Sequence, residues 1–396
     1  MVLACLLVAG AAGGTTARAA FTPGNVVVSL YGDGVTTSGT VPITLREFTT
    51  SGSSTGYEVA LPSSQIGSNR PIVGTLSNTG IGFLKQSVDG RYLSMVGSGT
   101  VASTITIARI GWAGDVDTTT NFSVAGGGGP TPRSAITTNG TDFWWSAATG
   151  APTTAGIRYL TLGGTTTGVA LAEGGGGSAT TPGGPNPVPL NSRVIGIFGG
   201  QLYGSASVSV GSGAGAYSFR GVYNVGTGLP TTANQLGSII IGGGTSNSGI
   251  IDSPWEFFIA DSNTIYVADD DSTAPATGGL QKWLFSSGSW SKAWTATPAG
   301  AVGVRGLTGL VTGSSVQLYG ITAMTSGSDA NSLVALSDTL GGTTLPSFST
   351  LATAGSNYVF RGVALAPVPE PSSVVLVLAG AGALVAAGRR LKIRRG

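Results

Sequence analysis

The chain has 396 residues, 67 of them glycine, with 9% charged residues, no histidine, one cysteine, and 19 basic against 17 acidic side chains. Without imidazole, and with Cys5 inside an N-terminal apolar segment, it cannot build a Ser-His-Asp triad, a Cys/His zinc site, or a disulfide or thiolate nucleophile in its body. Paired carboxylates, Lys, Tyr or Arg chemistry, or an all-oxygen metal site remain.

Residues 1–19 read as a secretory signal peptide, with an apolar core from Val2 to Ala12 followed by small residues. Ala17 and Ala19 supply the small side chains that signal peptidase needs at the third and first positions before its cut, so the mature chain is expected to begin at Ala20. No Lys or Arg precedes the core, a departure from the usual signal that a start upstream of Met1 would remove. Cys5 precedes most of the apolar core instead of following it, which argues against lipidation.

From residue 20 to 367 short runs rich in Val, Ile, Tyr, Phe and Trp alternate with Gly/Ser/Thr/Asn turns, and long helical periodicity is missing. The class is all-β. Five segments repeat one hairpin: "IGFLKQSVDGRYLSMVG", "PRSAITTNGTDFWWSA", "SRVIGIFGGQLYGSA", "SPWEFFIADSNTIYVAD" and "VRGLTGLVTGSSVQLYGIT". Aligned at Phe83, Arg133, Arg193, Trp255 and Arg305, they are spaced by 50, 60, 62 and 50 residues, the length of a four-stranded propeller blade with generous loops.

The ends complete the pattern. "FRGVALAP", with Arg361, reproduces the first strand of the hairpin but lacks a second, whereas "NVVVSLYGDG" near the start is a second strand without a first. Pairing them closes a ring and removes two exposed sheet edges. The expected architecture is a β-propeller of about six four-stranded blades, or seven if a long insertion hides one, plus a C-terminal transmembrane helix. A two-sheet sandwich or a β-helix is the competing architecture. The glycine-rich stretches 124–132 and 172–189 are expected as surface loops between blades, not domain linkers.

Within the body, Arg133, Arg193, Arg305 and Arg361 hold one repeat position. They either ring the channel mouth as an anion site or, by the more economical reading, tie blades together through carbonyls or acids such as Asp338 and Asp142. Asp269, Asp270, Asp271 and the Asp115/Asp117 pair could offer oxygen ligands to calcium, but neither has EF-hand spacing, and solvated turns are the default. Trp144, Trp145, Trp255, Trp283, Trp290 and Trp294 are expected to fill space between blades before they stack on sugars. Asn121 and Asn139 head chance-level glycosylation triplets. No catalytic residue, metal site or cofactor is assigned.

After residue 367 the composition changes. Pro369, Glu370 and Pro371 form an extended, exposed segment; Val374 to Gly388 are all apolar or glycine; and Arg389, Arg390, Lys392, Arg394 and Arg395 follow. That apolar run is shorter than the roughly 20 residues of a comfortable span, and the cations hold their side of it in the cytoplasm. Removing Arg18 and these five cations leaves 13 basic residues against 17 acids, about −4, with no basic cluster for nucleic acid.

The order of these features in 368–396 resembles the PEP-CTERM sorting signal. That resemblance implies export through the secretory translocon, an inner-membrane intermediate held by the C-terminal helix, and recognition by exosortase. It also implies a bacterium that makes exopolysaccharide, and a cell-surface or extracellular-matrix destination. The body is similar to exported bacterial propeller-like proteins that end in this tail. The expected role is non-enzymatic, structural, adhesive or glycan-binding; the alternatives are a polysaccharide lyase or glycosidase working through carboxylates, and a permanently anchored receptor.

Overall fold

The computed structural model describes residues 19–370 except 102, 125–130, 149–154, 172–185, 190, 211–216, 243–249, 272–277 and 327. The predicted apolar N-terminal segment with Ala17, most of both glycine-rich loops, Pro371, the C-terminal helix and the cluster Arg389, Arg390, Lys392, Arg394 and Arg395 lie outside the described residues.

Among the described residues the strands form six four-stranded antiparallel sheets and two minor two-stranded ones. The six are the blades of a propeller. From the axis outward, blade 1 is Tyr358–Leu365, Val26–Gly32, Ile43–Phe48 and Ser54–Ala60. Blade 2 is Lys85–Gln86, Tyr92–Ser98, Thr104–Gly111 and Val116–Ser123; blade 3 is Pro132–Thr137, Asp142–Ala147, Gly156–Thr161 and Val169–Ala170. Blade 4 is Ser192–Phe198, Gln201–Val210, Tyr217–Asn224 and Ile239–Gly242. Blade 5 is Pro254–Asp261, Thr264–Asp269, Gly279–Ser286 and Ser289–Ala296; blade 6 is Gly303–Thr312, Ser315–Ala323, Ser332–Thr339 and Ser349–Thr353.

The termini close the ring as the sequence predicts. Val26–Gly32 pairs with Tyr358–Leu365 from Val26 opposite Leu365 to Gly32 opposite Tyr358, so the C-terminal strand is the innermost strand of the N-terminal blade. The competing sandwich and β-helix are thereby set aside, and the blade count is six, not seven.

A strand between two blades is covered on both faces, which is why Val26–Gly32 is buried at every position and reads as a continuous apolar run. Six apolar clusters fill the six gaps between neighbouring blades. Trp144 lies in the gap between blades 3 and 4, Trp145 between 2 and 3, Trp283 between 4 and 5, and Trp294 between 5 and 6. A seventh cluster, Phe83, Val194 and Trp255, sits on the axis.

Blade 2 departs from the repeat. Its innermost strand shrinks to Lys85–Gln86, because the chain before it bends at Gly82 (φ 86°). A Cβ at Gly82 would lie 2.7 Å from both the Arg361 Cβ and the Tyr31 hydroxyl, so this close approach to blade 1 requires glycine.

Candidate functional site: a plugged axis, an open mouth and a docked tail

The aligned positions of the six repeats meet at the axis. In blades 1, 3, 4, 5 and 6 a β-bulge interrupts the pairing of the innermost strand at the segment that holds Arg361, Arg133, Arg193, Trp255 and Arg305 respectively. An extra residue on one strand re-aims its side chain, and here it turns each of these groups toward the channel. The Trp255 ring stacks on Phe83, from the opposite blade, with centroids 5.4 Å apart. The guanidinium groups of Arg193, Arg133 and Arg305 lie 4.1, 5.2 and 5.5 Å from the Trp255 ring, within cation–π range.

The same arginines bind the neighbouring blade. Arg133 donates to the Ser192 carbonyl at 3.2 Å, and Arg193 to the Pro254 carbonyl at 2.8 Å and the Ser253 hydroxyl at 3.0 Å. The Arg305 Nε donates to Asp270 Oδ2 at 2.8 Å, while Arg361 donates to the Leu76 carbonyl. Burial pushes Arg133, Arg193 and Arg361 below the usual guanidinium range, but leaves them cationic at neutral pH. The four arginines therefore build a plug that ties blades together. The suggested acids need correcting, since Asp270 takes the place of Asp338 and Asp142. Asp338 accepts from Tyr266 Oη at 2.6 Å and pairs with Lys282 at 2.7 Å, and Asp142 accepts from Tyr159 Oη at 2.6 Å.

The acidic run is also structural. Asp269 is fully buried and accepts backbone N–H groups from Asp252, Ser253 and Asp271 and the amide of Gln281. Burial nonetheless raises its carboxyl to about 6. The expectation of solvated turn residues is corrected here, because Asp269 and Asp271 are both buried and Asp270 is held by Arg305. Asp117 pairs with Arg109 at 3.1 Å. Among the described residues no group of three acids is arranged to hold a metal ion. The Asn139 side chain caps its own turn by accepting from the Thr141 and Asp142 amides, and Asn121 donates to Thr106 and the Ile105 carbonyl.

Next to the plug, Lys85 of blade 2 reaches across the axis to Glu256 of blade 5, a close ion pair with side chains 11% and 1% exposed. Desolvation raises the Glu256 carboxyl to about 6 in spite of its cation. Lys85 of this pair lines a cavity of about 370 Å³ that opens at the hairpin-turn end and is bounded by all six innermost strands. Ile197, Phe198, Phe257, Phe258 and Ile259 form one wall; Gln86, Ser87 and Thr308 add polar groups; no Asp or Glu lines it. Composition gave no hint of this pocket. Its signal is the phenylalanines at the ends of "RVIGIF" and "PWEFF", one and the same region of consecutive repeats.

The tail leaves from the rim of that mouth. Gln86 Nε2 donates to the Ala366 carbonyl at 2.9 Å and the Val368 amide to the Gly90 carbonyl at 2.8 Å. Tyr92 Oη then donates to Glu370 Oε1 at 2.6 Å, with the Arg91 Nη1 at 3.6 Å. At the other end, Phe21 is buried edge-on against Tyr57, so the predicted cut between Ala19 and Ala20 falls just before the first buried side chain among the described residues.

The family comparison decides the nature of this tail: residues 367–395 match the model of the PEP-CTERM protein-sorting motif. The chain carries a PEP-CTERM sorting motif. The motif implies exosortase-mediated sorting and export via the membrane. No curated protein matches the sequence. Among solved structures, similarity extends to a Lactobacillus plantarum protein, at 10% identity and TM-score 0.44 over 86% of this chain and 99% of that one. A GH93 α-L-arabinofuranosidase of Fusarium graminearum aligns at 12% identity and TM-score 0.40 over 76% and 90%, and AztD from Citrobacter koseri at 10% and 0.29 over 87% and 100%.

Proposed function

We propose that this PEP-CTERM protein is a non-catalytic surface or matrix component whose propeller binds extracellular polysaccharide. Signal peptidase removes 1–19, the tail holds the chain in the inner membrane, and exosortase then processes it at Pro369-Glu370-Pro371. The observation that carries the binding role is the open channel mouth, a cavity of about 370 Å³ with Phe198, Phe257 and Phe258 on one wall and amide and hydroxyl groups beside them. Aromatic faces with a few fixed polar groups suit a sugar ring. Hydrolysis of a glycosidic bond would ask for two opposed carboxylates, whereas no Asp or Glu is among the residues lining this cavity and Glu256, next to Phe257 of its wall, is held by Lys85.

Two experiments test the reading. Glu370→Ala in the host, followed by cell fractionation, is expected to leave the protein in the membrane; unchanged release removes the motif from the account. The body from residue 20 to 367, applied to a glycan array, is expected to bind a defined set of polysaccharides and to lose at least about tenfold in affinity with Phe198→Ala. Binding unaffected by that change places the ligand elsewhere.

A further inference from the structure

The sorting motif does not hang free of the ring. Residues 366–370 run along the first hairpin of blade 2, and three successive contacts fasten them: Gln86 to the Ala366 carbonyl, the Gly90 carbonyl to the Val368 amide, and Tyr92 to Glu370. The seat for Glu370 is prepared by the fold. Tyr92 opens the second strand of blade 2, directly after the turn at Asp89 and Gly90. Its ring is covered by the guanidinium groups of Arg91 and Arg109 at 5.5 and 5.1 Å. Arg109 is itself anchored by Asp117 and the Gly140 carbonyl, while the Arg91 Nε pairs with Asp89 and leaves Nη1 facing Glu370. A cavity of about 580 Å³ lined by Arg91, Tyr92, Arg109 and Trp112 on one side and by Val368, Pro369 and Glu370 on the other marks where tail and blade meet.

We infer that Tyr92 and Arg91 form a carboxylate seat for Glu370, and that occupancy of this seat holds the motif on the folded body and slows its capture by the processing enzyme. A charge-assisted hydrogen bond from a phenol to a carboxylate is directional and short, whereas the partly exposed ion pair adds little on its own. An enzyme that grips the extended Pro-Glu-Pro segment must take Glu370 from Tyr92 first. Seating also requires blade 2 to be folded, so it differs between nascent and mature chains. The inference rests on the reading of 368–396 as an exosortase substrate.

The test uses the full chain. Hydrogen exchange on the purified precursor in detergent is expected to show the Ala366 and Val368 amides protected, and Tyr92→Phe, which removes only the hydroxyl, to raise exchange at Val368 at least about fivefold while blade strands and melting temperature stay unchanged. Arg91→Gln is expected to act in the same direction and less strongly. Pulse–chase labelling in the host should then show the Tyr92→Phe precursor processed about threefold faster than wild type or more. Unaltered exchange in Tyr92→Phe overturns the seat, and opened exchange with unaltered or slower processing overturns its role. Glu370→Gln separates the two layers: normal processing of that variant defeats the sorting reading itself, while blocked processing combined with a Tyr92→Phe effect supports both.

Discussion

Lys282 is the most demanding test of how the blades are held together. Its side chain is wholly buried, and Nζ donates at 2.7 Å to each of three acceptors in blade 6: the Thr339 and Gly342 carbonyls and the Asp338 carboxylate. The rings of Tyr266 and Trp294 stand 5.7 and 6.0 Å away. All three ammonium donors are satisfied, so Lys282→Met strands the buried Asp338 carboxylate, which keeps the Tyr266 Oη, and takes a donor from the Gly342 and Thr339 carbonyls, the latter still accepting from the Gly342 amide. Removing one partner of such a pair costs about 3–5 kcal/mol. A ring of about 350 residues unfolds with an entropy near 0.7 kcal/mol/K, so melting should fall by about 4–7 °C. Asp338→Asn in the Lys282→Met background should restore part of the loss, since the stranded charge is gone. Thermal and denaturant unfolding of the four proteins closes the cycle. A loss below about 1 kcal/mol, or strict additivity of the two changes, would refute the claim that this lysine staples blade 5 to blade 6.

Further expectations concern the axis and the ring closure. Trp255→Ala removes the stack on Phe83 and the face shared by three arginines, and should cost about 3–5 kcal/mol, read by denaturant titration. Glu256 and Asp269 have carboxyls raised to about 6 by burial, so the folded state holds protons that the unfolded chain has released. Their contribution to stability is therefore present at acid pH and lost as pH rises from about 4 to about 6, and melts across that window should show Glu256→Gln flattening the decline. Wild-type and variant curves running parallel would contradict it. Truncation after Pro367 should leave a folded ring, whereas truncation after Ser356 removes the innermost strand of blade 1, exposes both edges and should give aggregated protein by size-exclusion chromatography.

Much of this architecture is written in local pattern. The orphan strands at the two ends, the repeat spacing and the shared arginine position are properties of sequence order, and they suffice for a closed ring. Chemistry at the axis is a different matter. Arg305 meets Asp270 and not Asp338 because a bulge at residue 305 swings it inward, and bulges leave no mark in an alternating pattern. Lys85 and Glu256 are 171 residues apart, and only the opposition of blades 2 and 5 brings them together. The acids at the end of Thr264–Asp269 and just beyond it resemble turn residues in composition, but Asp269 is drawn into the core by the amides it caps. The seat for Glu370 is equally silent, since Tyr92 reads as one more strand aromatic until the C-terminal segment lies beside it.

The point at which the chain quits the ring sets which part of the propeller stands nearest the sorting tail. The last described residue, Glu370, lies by the hairpin-turn rim, and the apolar run begins at Val374. Four residues reach at most about 14 Å when fully extended. In the proposed membrane-held intermediate, with that run in the bilayer, the rim would be moored close to the lipid headgroups. On that same proposed reading, severing the tail would open the vestibule to a bulky polymer as well as free the protein.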